Sequence, residues 1–391
     1  MLSVYFSELT IILLIASVFP VLFLLLFYRP RVSCITKHIR MTASEKESVT
    51  PPSVSIIVYS NNDSDNLAHM LPEILNQEYP ATFEVIVVND GASEATKDIV
   101  NELSQIYHNL YITYTPNDAR YLSRKKLSLT IGIKAAKYDY VLITKSSCRI
   151  SSRKWLTSMT KHFADGKDIV IGHASYAPED DSLWGNRSRA FNATADAVAY
   201  LSSAISGKPY RGIDANIAYS KDIFFRNKGF SHSLNLHYGD DDIFISEIAT
   251  GENTAVELSA DSHVKCIYRR SPREVYRDNK IHYNFTAKFI NKRPAKFFGF
   301  ASLMTWSWLT LSTAAIISAT PNLIPVAVVT LSSLILWLPL MFAWRKTSLA
   351  LHSRKIFLTL PMQMLYRPIH NAIYRLKGIA GRKWNYTWQK L

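Results

Sequence analysis

At 391 residues, 48% hydrophobic and 19% charged, the chain can bury a core of roughly 200–250 residues with sequence to spare, which excludes a disordered polypeptide. The net charge of +14 is unevenly spread: ten Lys and Arg and no acid lie between Trp344 and Leu391, leaving +4 for the rest. A basic tail behind a hydrophobic segment fits anionic membrane lipid and argues against a nucleic-acid partner.

In chain order, Leu9 to Phe27 is an uncharged run long enough to cross a hydrocarbon layer of about 30 Å as a helix. Residues 1–28 therefore form an N-terminal transmembrane helix, and 29–52 a polar linker. A signal peptide is disfavoured, because Met1 to Glu8 carries no Lys or Arg and no small-residue cleavage pattern follows. Next, Val54–Tyr59 reads as a buried strand. Asn66–Gln77 has helical spacing of Leu67, Met70, Leu71, Ile74 and Leu75, and Phe83–Val88 is a second strand closed by Asn89-Asp90-Gly91. Ser93 caps a helix running through Ile106; Leu110–Tyr114 and Tyr140–Thr144 are further strands flanking a helix from Lys126 to Lys137. Repeated strand–helix–strand order predicts an α/β domain over 53–293, Rossmann-like, with a mostly parallel sheet, helices on both faces and ligands at the strands' carboxyl ends.

Phe298–Ala319 and Leu323–Ala343, joined by Thr320-Pro321-Asn322, predict a transmembrane hairpin over 298–343. Arg29, Arg31, Lys37 and Arg40 after the first span, Lys288, Lys292, Arg293 and Lys296 before the second, and the basic tail 344–391 place the middle domain and tail in the cytoplasm. Ile356–Tyr366 is too short to span, while Arg367–Trp388 mixes basic residues with Tyr374, Trp384, Tyr386 and Trp388, as an interfacial segment does. Cys34, Cys148 and Cys266 have no paired spacing, in keeping with a reducing compartment.

Several strings together carry a family resemblance. Pro52-Ser-Val-Ser-Ile-Ile-Val-Tyr-Ser-Asn-Asn-Asp63-Ser-Asp-Asn66-Leu, Gln77-Glu-Tyr-Pro80 and Phe83-Glu-Val-Ile-Val-Val-Asn-Asp90-Gly91 resemble the opening of glycosyltransferase family 2. The segment from Lys126 through Gly132 to Lys134, Tyr140–Thr144, Gly239-Asp240-Asp241-Asp242-Ile-Phe and the hairpin extend the resemblance over about 50–390. It implies a GT-A fold with three transmembrane helices in the bacterial inner (cytoplasmic) membrane. It also implies inverting transfer from a nucleotide-sugar donor to a lipid-linked or polysaccharide acceptor.

For donor binding the resemblance implies Asp90 at the base, Asp63 near ribose and base, Lys126 near the donor, and Tyr59 beside them. Asp90 before Gly91 also suits an ordinary turn, and Lys126 an ordinary helix-end lysine. Arg124-Lys125-Lys126 would attract a diphosphate in either case. Asp240, Asp241 and Asp242 repel one another, which raises proton affinity and suits a general base; motif alignment favours Asp240, then Asp241. The same triplet suits the start of a helix Ile243–Thr250. Arg269, Arg270, Arg273, Arg277, Lys280 and His282 fall where the family covers the diphosphate, although an amphipathic helix lying on acidic lipid has the same look.

Two departures concern the centre of the site. The family usually holds Mg or Mn with an Asp-x-Asp pair, where this chain has Lys145-Ser146-Ser147, an ammonium and a hydroxyl that are poor partners for a hard cation. Metal ligands are therefore expected to be missing. Gly212-Ile-Asp214-Ala215-Asn216, on the expected acceptor side, has Asp214 and Ala215 where an Arg is usual. Three readings follow: Lys145 replaces the metal's charge, Lys145 pairs with Asp214 in a filled pocket, or Asp214 joins a relocated metal site. Alternatively, the chain is a catalytically impaired relative acting as a binding or assembly partner.

Overall fold

The computed structural model describes residues 7–43, 50–91, 93–116, 122–176, 184–267, 271–290 and 295–385. Arg269, Arg270, Lys292, Arg293, Tyr386 and Trp388, and residues 44–49 of the expected linker, lie outside these residues, while Arg29–Thr42 of that linker is helical. Two compact units emerge, one of residues 38–190, 203–293 and 374–391, the other of 1–37, 191–202 and 294–373.

Among the described residues the first unit has ten strands: β1 (Val54–Asn61), β2 (Phe83–Asp90), β3 (Leu110–Tyr114), β4 (Tyr140–Lys145), β5 (Cys148–Ile150), β6 (Ile169–Ile171), β7 (Ala174–Tyr176), β8 (Ile217–Ser220), β9 (Thr254–Val256) and β10 (Val264–Cys266). Seven form one sheet in the order β3-β2-β1-β4-β8-β6-β9. The expected β3, β2, β1 and β4 are parallel neighbours, and β8 runs antiparallel between β4 and β6. A small sheet, β5-β10-β7, lies beside it. Val54 to Val58 are buried without a break, as a parallel strand covered on both faces requires.

Helix Ser64–Leu75 begins and ends two residues before its predicted bounds and turns Leu67, Met70, Leu71 and Ile74 inward to join Ile56, Val58, Val85 and Val87 in the core. Ser93 caps helix Glu94–Ser104 as expected, its Oγ accepting from the Thr96 amide at 3.3 Å. Helix Arg124–Ala135 starts two residues earlier than its pattern indicates and presses Gly132 onto the sheet. A Cβ there would lie 2.8 Å from methyls of Ile57 and Val88, so hydrogen at this position sets the helix-to-sheet spacing.

Among the described residues three helices are long and apolar enough to cross a membrane: Glu8–Thr42, Lys296–Ser318 and Ile324–Ala350. Phe23 meets Phe300 edge-on at 4.8 Å, Trp308 meets Trp337 at 5.7 Å, and Thr347 Oγ1 donates to the Val32 carbonyl at 2.8 Å. Leu9, Ile12, Ile15, Phe19 and Leu26 face outward. That is the burden a lipid solvent would relieve. The tail segment expected at the interface forms a helix, Leu360–Asn385, with Pro368 inside it.

Gly132→Ala should destabilise the protein by about 1–3 kcal/mol through overpacking. The measurement is the thermal unfolding midpoint of the full chain in detergent, and an unchanged midpoint contradicts this account of the spacing.

Candidate functional site

The strand order switches direction at β1, with β2 on one side and β4 on the other, and open α/β sheets bind ligands beyond the strands' carboxyl ends at such a point. In-register pairing puts Asn61 opposite Asp90 and Tyr59 opposite Lys145, so four polar side chains arrive at one edge. The Arg124 Nε donates to Asp90 Oδ1 at 2.9 Å, and its Nη2 lies 2.6 Å from the same oxygen. Tyr59 Oη and Asn61 Nδ2 donate to Asp90 Oδ2 at 2.8 and 3.0 Å. Burial first, and then the adjacent Asp90, push the Tyr59 phenol well above its usual range. Asp63 stands one step away, accepting from Asn66 Nδ2 at 2.8 Å and from Ser146 Oγ at 2.9 Å, which ties the end of β1 to that of β4.

The centre is a chain of charges. Lys145 Nζ lies 2.9 Å from Asp214 Oδ1, while Lys125 Nζ lies 2.6 Å from both Asp214 Oδ2 and Asp240 Oδ2. Burial opposes both charged states, yet Asp214 and Asp240 hold the Lys125 ammonium well above its usual range, and Lys125 and Lys145 hold Asp214 far below the carboxylate range. The sequence-level reading in which Lys145 pairs with Asp214 thus describes this state of the protein. Ser147 is half-buried just past β4, and its carbonyl accepts from the Ile267 amide at 2.7 Å.

The acidic triplet divides its labour. Asp242 caps helix Ile243–Ile248, its Oδ1 accepting from the Ile243 amide at 2.7 Å and its Oδ2 from the Thr286 hydroxyl. Asp241 Oδ2 accepts from Tyr283 Oη at 3.2 Å, while its buried Oδ1 has no hydrogen bond and lies 3.5 Å from His282 Nε2. Burial, followed by Asp240 and Asp214, pushes Asp241 up to about 7. His282, stacked between Tyr238 and Tyr283 at 4.4 Å from each ring, is pushed down to about 4 because burial outweighs Asp242 and Asp240. At neutral pH it is an uncharged imidazole. The Arg211 guanidinium lies over the Tyr283 ring, 3.2 Å from its centre.

A divalent ion, which the family resemblance implies, can be tested against these donors. Among the described residues, Asp241, Asp242 and His282 bring ligand atoms within 4.8 Å of one another. Both Asp242 oxygens and Asp241 Oδ2 are already occupied by hydrogen bonds, which leaves one carboxylate oxygen and one imidazole nitrogen. An ion held there would need waters or the donor's own phosphate oxygens to complete its shell, and the position at the end of β4 where the family resemblance implies a carboxylate carries the Lys145 ammonium. These residues alone do not make a complete site for the ion.

Other predicted residues are placed elsewhere. Lys126 is fully buried, and its Nζ donates to the carbonyls of Ser233, Leu236 and Tyr238 at 2.6, 3.3 and 2.7 Å and lies 3.0 Å from Ser233 Oγ. Its amine is thus spent on the turn that delivers Asp240, and burial pushes it down to about 8. Asn216 is also fully buried; Nδ2 donates to the carbonyls of His173 and Ser262, and Oδ1 accepts from Trp155 Nε1. Arg277 is exposed, with its Nε 3.1 Å from Asp278, and Lys280 lies over the Tyr276 ring at 5.6 Å. Sequence reasoning passed over Lys125, Arg211, Asn61 and Tyr283 as individual site residues. The basic cluster 124–126 was the one signal for Lys125, and nothing in the local pattern marked the others.

The parallel sheet with β8 inserted antiparallel and a polar crevice at its switch point defines a GT-A type domain. A family model described as "Glycosyl transferase family 2" matches residues 53–232, within the sheet-bearing domain. The chain is 28% identical over 103 residues to poly-beta-1,6-N-acetyl-D-glucosamine synthase of Staphylococcus epidermidis, covering 26% of this chain and 24% of that protein. It is 33% identical over 95 residues to the probable glycosyltransferase YdaM of Bacillus subtilis, covering 24% and 22%. The matched segments thus span less than a quarter of these relatives' lengths. The mannosyltransferase PcManGT of Pyrobaculum calidifontis, solved with GDP-Man and Mn2+, shares the fold at a TM-score of 0.55 and 18% identity, over 96% of this chain and 98% of that one.

Lys126→Met strands three carbonyls and should cost about 3 kcal/mol of stability. Hydrogen exchange should accelerate at residues 233–242 specifically, and unchanged exchange there contradicts the role given to Lys126.

Proposed function

We propose that the chain is an inverting glycosyltransferase that moves a sugar from a nucleotide-sugar donor to a lipid-linked or polysaccharide acceptor at a membrane surface, with lysine ammoniums in the place of a divalent ion. The observation that carries this reading is the convergence of Lys125 and Lys145 at the end of β4, opposite Asp240 and Asp241. Cations and a carboxylate base across one crevice are what the reaction requires. Fixed positive charge stabilises a leaving diphosphate as an ion does, and it needs no reorganisation during the step.

In the proposed step the acceptor oxygen attacks the anomeric carbon as its proton passes to Asp241. The bond from that carbon to the diphosphate oxygen breaks on the opposite face, which inverts the centre, and the departing negative charge is taken up by Lys125 and Lys145. We assign the base to Asp241, ahead of Asp240. Asp240 Oδ2 is ion-paired with Lys125 at 2.6 Å, whereas Asp241 Oδ1 lies 3.5 Å from His282 Nε2 and Asp241 has a proton affinity suited to neutral pH. Asp90, Tyr59 and Asn61 supply the polar edge for the nucleoside, with Asp63 behind them.

Membrane attachment is supported by the three apolar helices and their outward apolar faces. Basic residues beside the spans favour the catalytic domain on the cytoplasmic side. The acidic surface of that leaflet would attract the tail helix.

The base acts unprotonated, so its active fraction grows as pH rises through its pKa. Transfer from a panel of UDP- and GDP-sugars should therefore climb with pH and reach half its plateau near 7. Asp241→Asn should lower the rate by about 100-fold or more. Full transfer by Asp241→Asn, or a flat profile from pH 5.5 to 8.5 with chemistry rate-limiting, overturns this assignment.

A further inference from the structure

We propose that Asp214 is a built-in anion that occupies the donor's diphosphate seat between Lys125 and Lys145 and is exchanged for diphosphate when the donor binds. The proposal rests on reading the crevice as a donor site. It adds what holds that seat before the donor arrives, and what the donor must displace.

Charge balance is the first argument. The linked groups comprise two ammoniums, Lys125 and Lys145, and two carboxylates, Asp214 and Asp240. These four groups balance one another's charge, so the seated Asp214 offsets the positive charge that would otherwise draw in a diphosphate. Once Asp214 lets go, two cations face the seat against Asp240 alone. An incoming diphosphate can then take over the hydrogen bonds that Asp214 had accepted, so neither lysine is stranded in the exchange.

Access is the second. Side chains of Asp214, Lys145 and Lys125 retain 18%, 19% and 25% exposure, whereas Lys126 next door is sealed. A ligand can thus reach the two cations that hold Asp214, but not the one that holds the turn. Geometry is the third argument. Asp214 takes Lys125 on one oxygen and Lys145 on the other, so a single carboxylate bridges two ammoniums as neighbouring phosphate oxygens would.

The backbone around Asp214 is pinned. The Gly212 amide donates to the Asp241 carbonyl at 2.7 Å, and the Ala215 carbonyl accepts from Thr144 Oγ1 at 2.9 Å. Exchange then needs a side-chain rotation about Asp214, with the loop left in place. The same pin ties the Asp214 loop to Asp241 through backbone.

The test is calorimetric binding of inorganic diphosphate, UDP and GDP to the full chain in detergent with EDTA present. Asp214→Asn removes the competing charge and should tighten inorganic diphosphate about tenfold, while Lys145→Ala should weaken it about tenfold. Adding Lys145→Ala to Asp214→Asn should abolish the gain. Each variant's thermal midpoint is recorded, and Asp214→Ser serves as a second neutral replacement should the Asn variant unfold early. Equal binding of inorganic diphosphate, UDP and GDP by wild type and both Asp214 variants overturns the exchange while leaving the donor reading intact. Binding that appears only with added Mn2+ and ignores Lys145→Ala also overturns it. Failure of every variant to bind UDP or GDP, with or without Mn2+, overturns the donor reading and the exchange with it.

Discussion

The site depends on one electrostatic constraint: two lysines and two aspartates, Lys145-Asp214-Lys125-Asp240, must neutralise one another at the mouth of a parallel sheet. Unpaired charges so placed would pay a desolvation cost of several kcal/mol each, and opposite charges at contact distance offset it. The chain of pairs also joins four parts of the polypeptide. Lys145 ends β4, Lys125 opens the helix that crosses from β3 to β4, and Asp214 and Asp240 lie on the loops before β8 and before helix Ile243–Ile248. What holds the crevice together at rest is thus what any ligand entering it must reorganise.

Around that centre, buried hydrogen bonds fix what the ion pairs alone would leave loose. Lys126 gathers the carbonyls of residues 233–238, so the turn arrives at Asp240 in one conformation. Asn216 performs the same service for the strand after Asp214 by joining Trp155, His173 and Ser262. Asp242 closes the sequence by capping its helix. The two remaining acids differ in circumstance: Asp240 faces a cation, and Asp241 faces a neutral histidine across 3.5 Å. Two adjacent carboxylates in unlike surroundings can take unlike roles, one aligning Lys125 and the other accepting a proton.

Much of this was legible before the structure, for definable reasons. β1, β2 and β4 announce themselves because strands buried on both faces are unbroken apolar runs, and the apolar spans do so by length. β8 and the small β5-β10-β7 sheet do not, since runs of three or four residues have no measurable period. Among site residues, Asp90, Lys145, Asp214 and Asp240–Asp242 fall within one crevice region, whereas Lys126 and Asn216 turn inward and Arg277 turns out. Adjacent helix positions differ by about 100°, so Arg124, Lys125 and Lys126 point to Asp90, to Asp214 with Asp240, and to the interior. Sequence shows that three cations cluster; only the helix's rotation on the sheet, set in part by Gly132, decides which one meets a ligand.

The central claim is that lysine charge stands where a divalent ion would. It is tested most directly by a structure of the full chain with a nucleoside diphosphate bound in the presence of chelator. The account predicts Lys125 and Lys145 within hydrogen-bonding distance of the phosphate oxygens, with Asp214 turned away from both. A phosphate seated elsewhere, or held only after a divalent ion is supplied and bridged by that ion to Asp241 and His282, contradicts it.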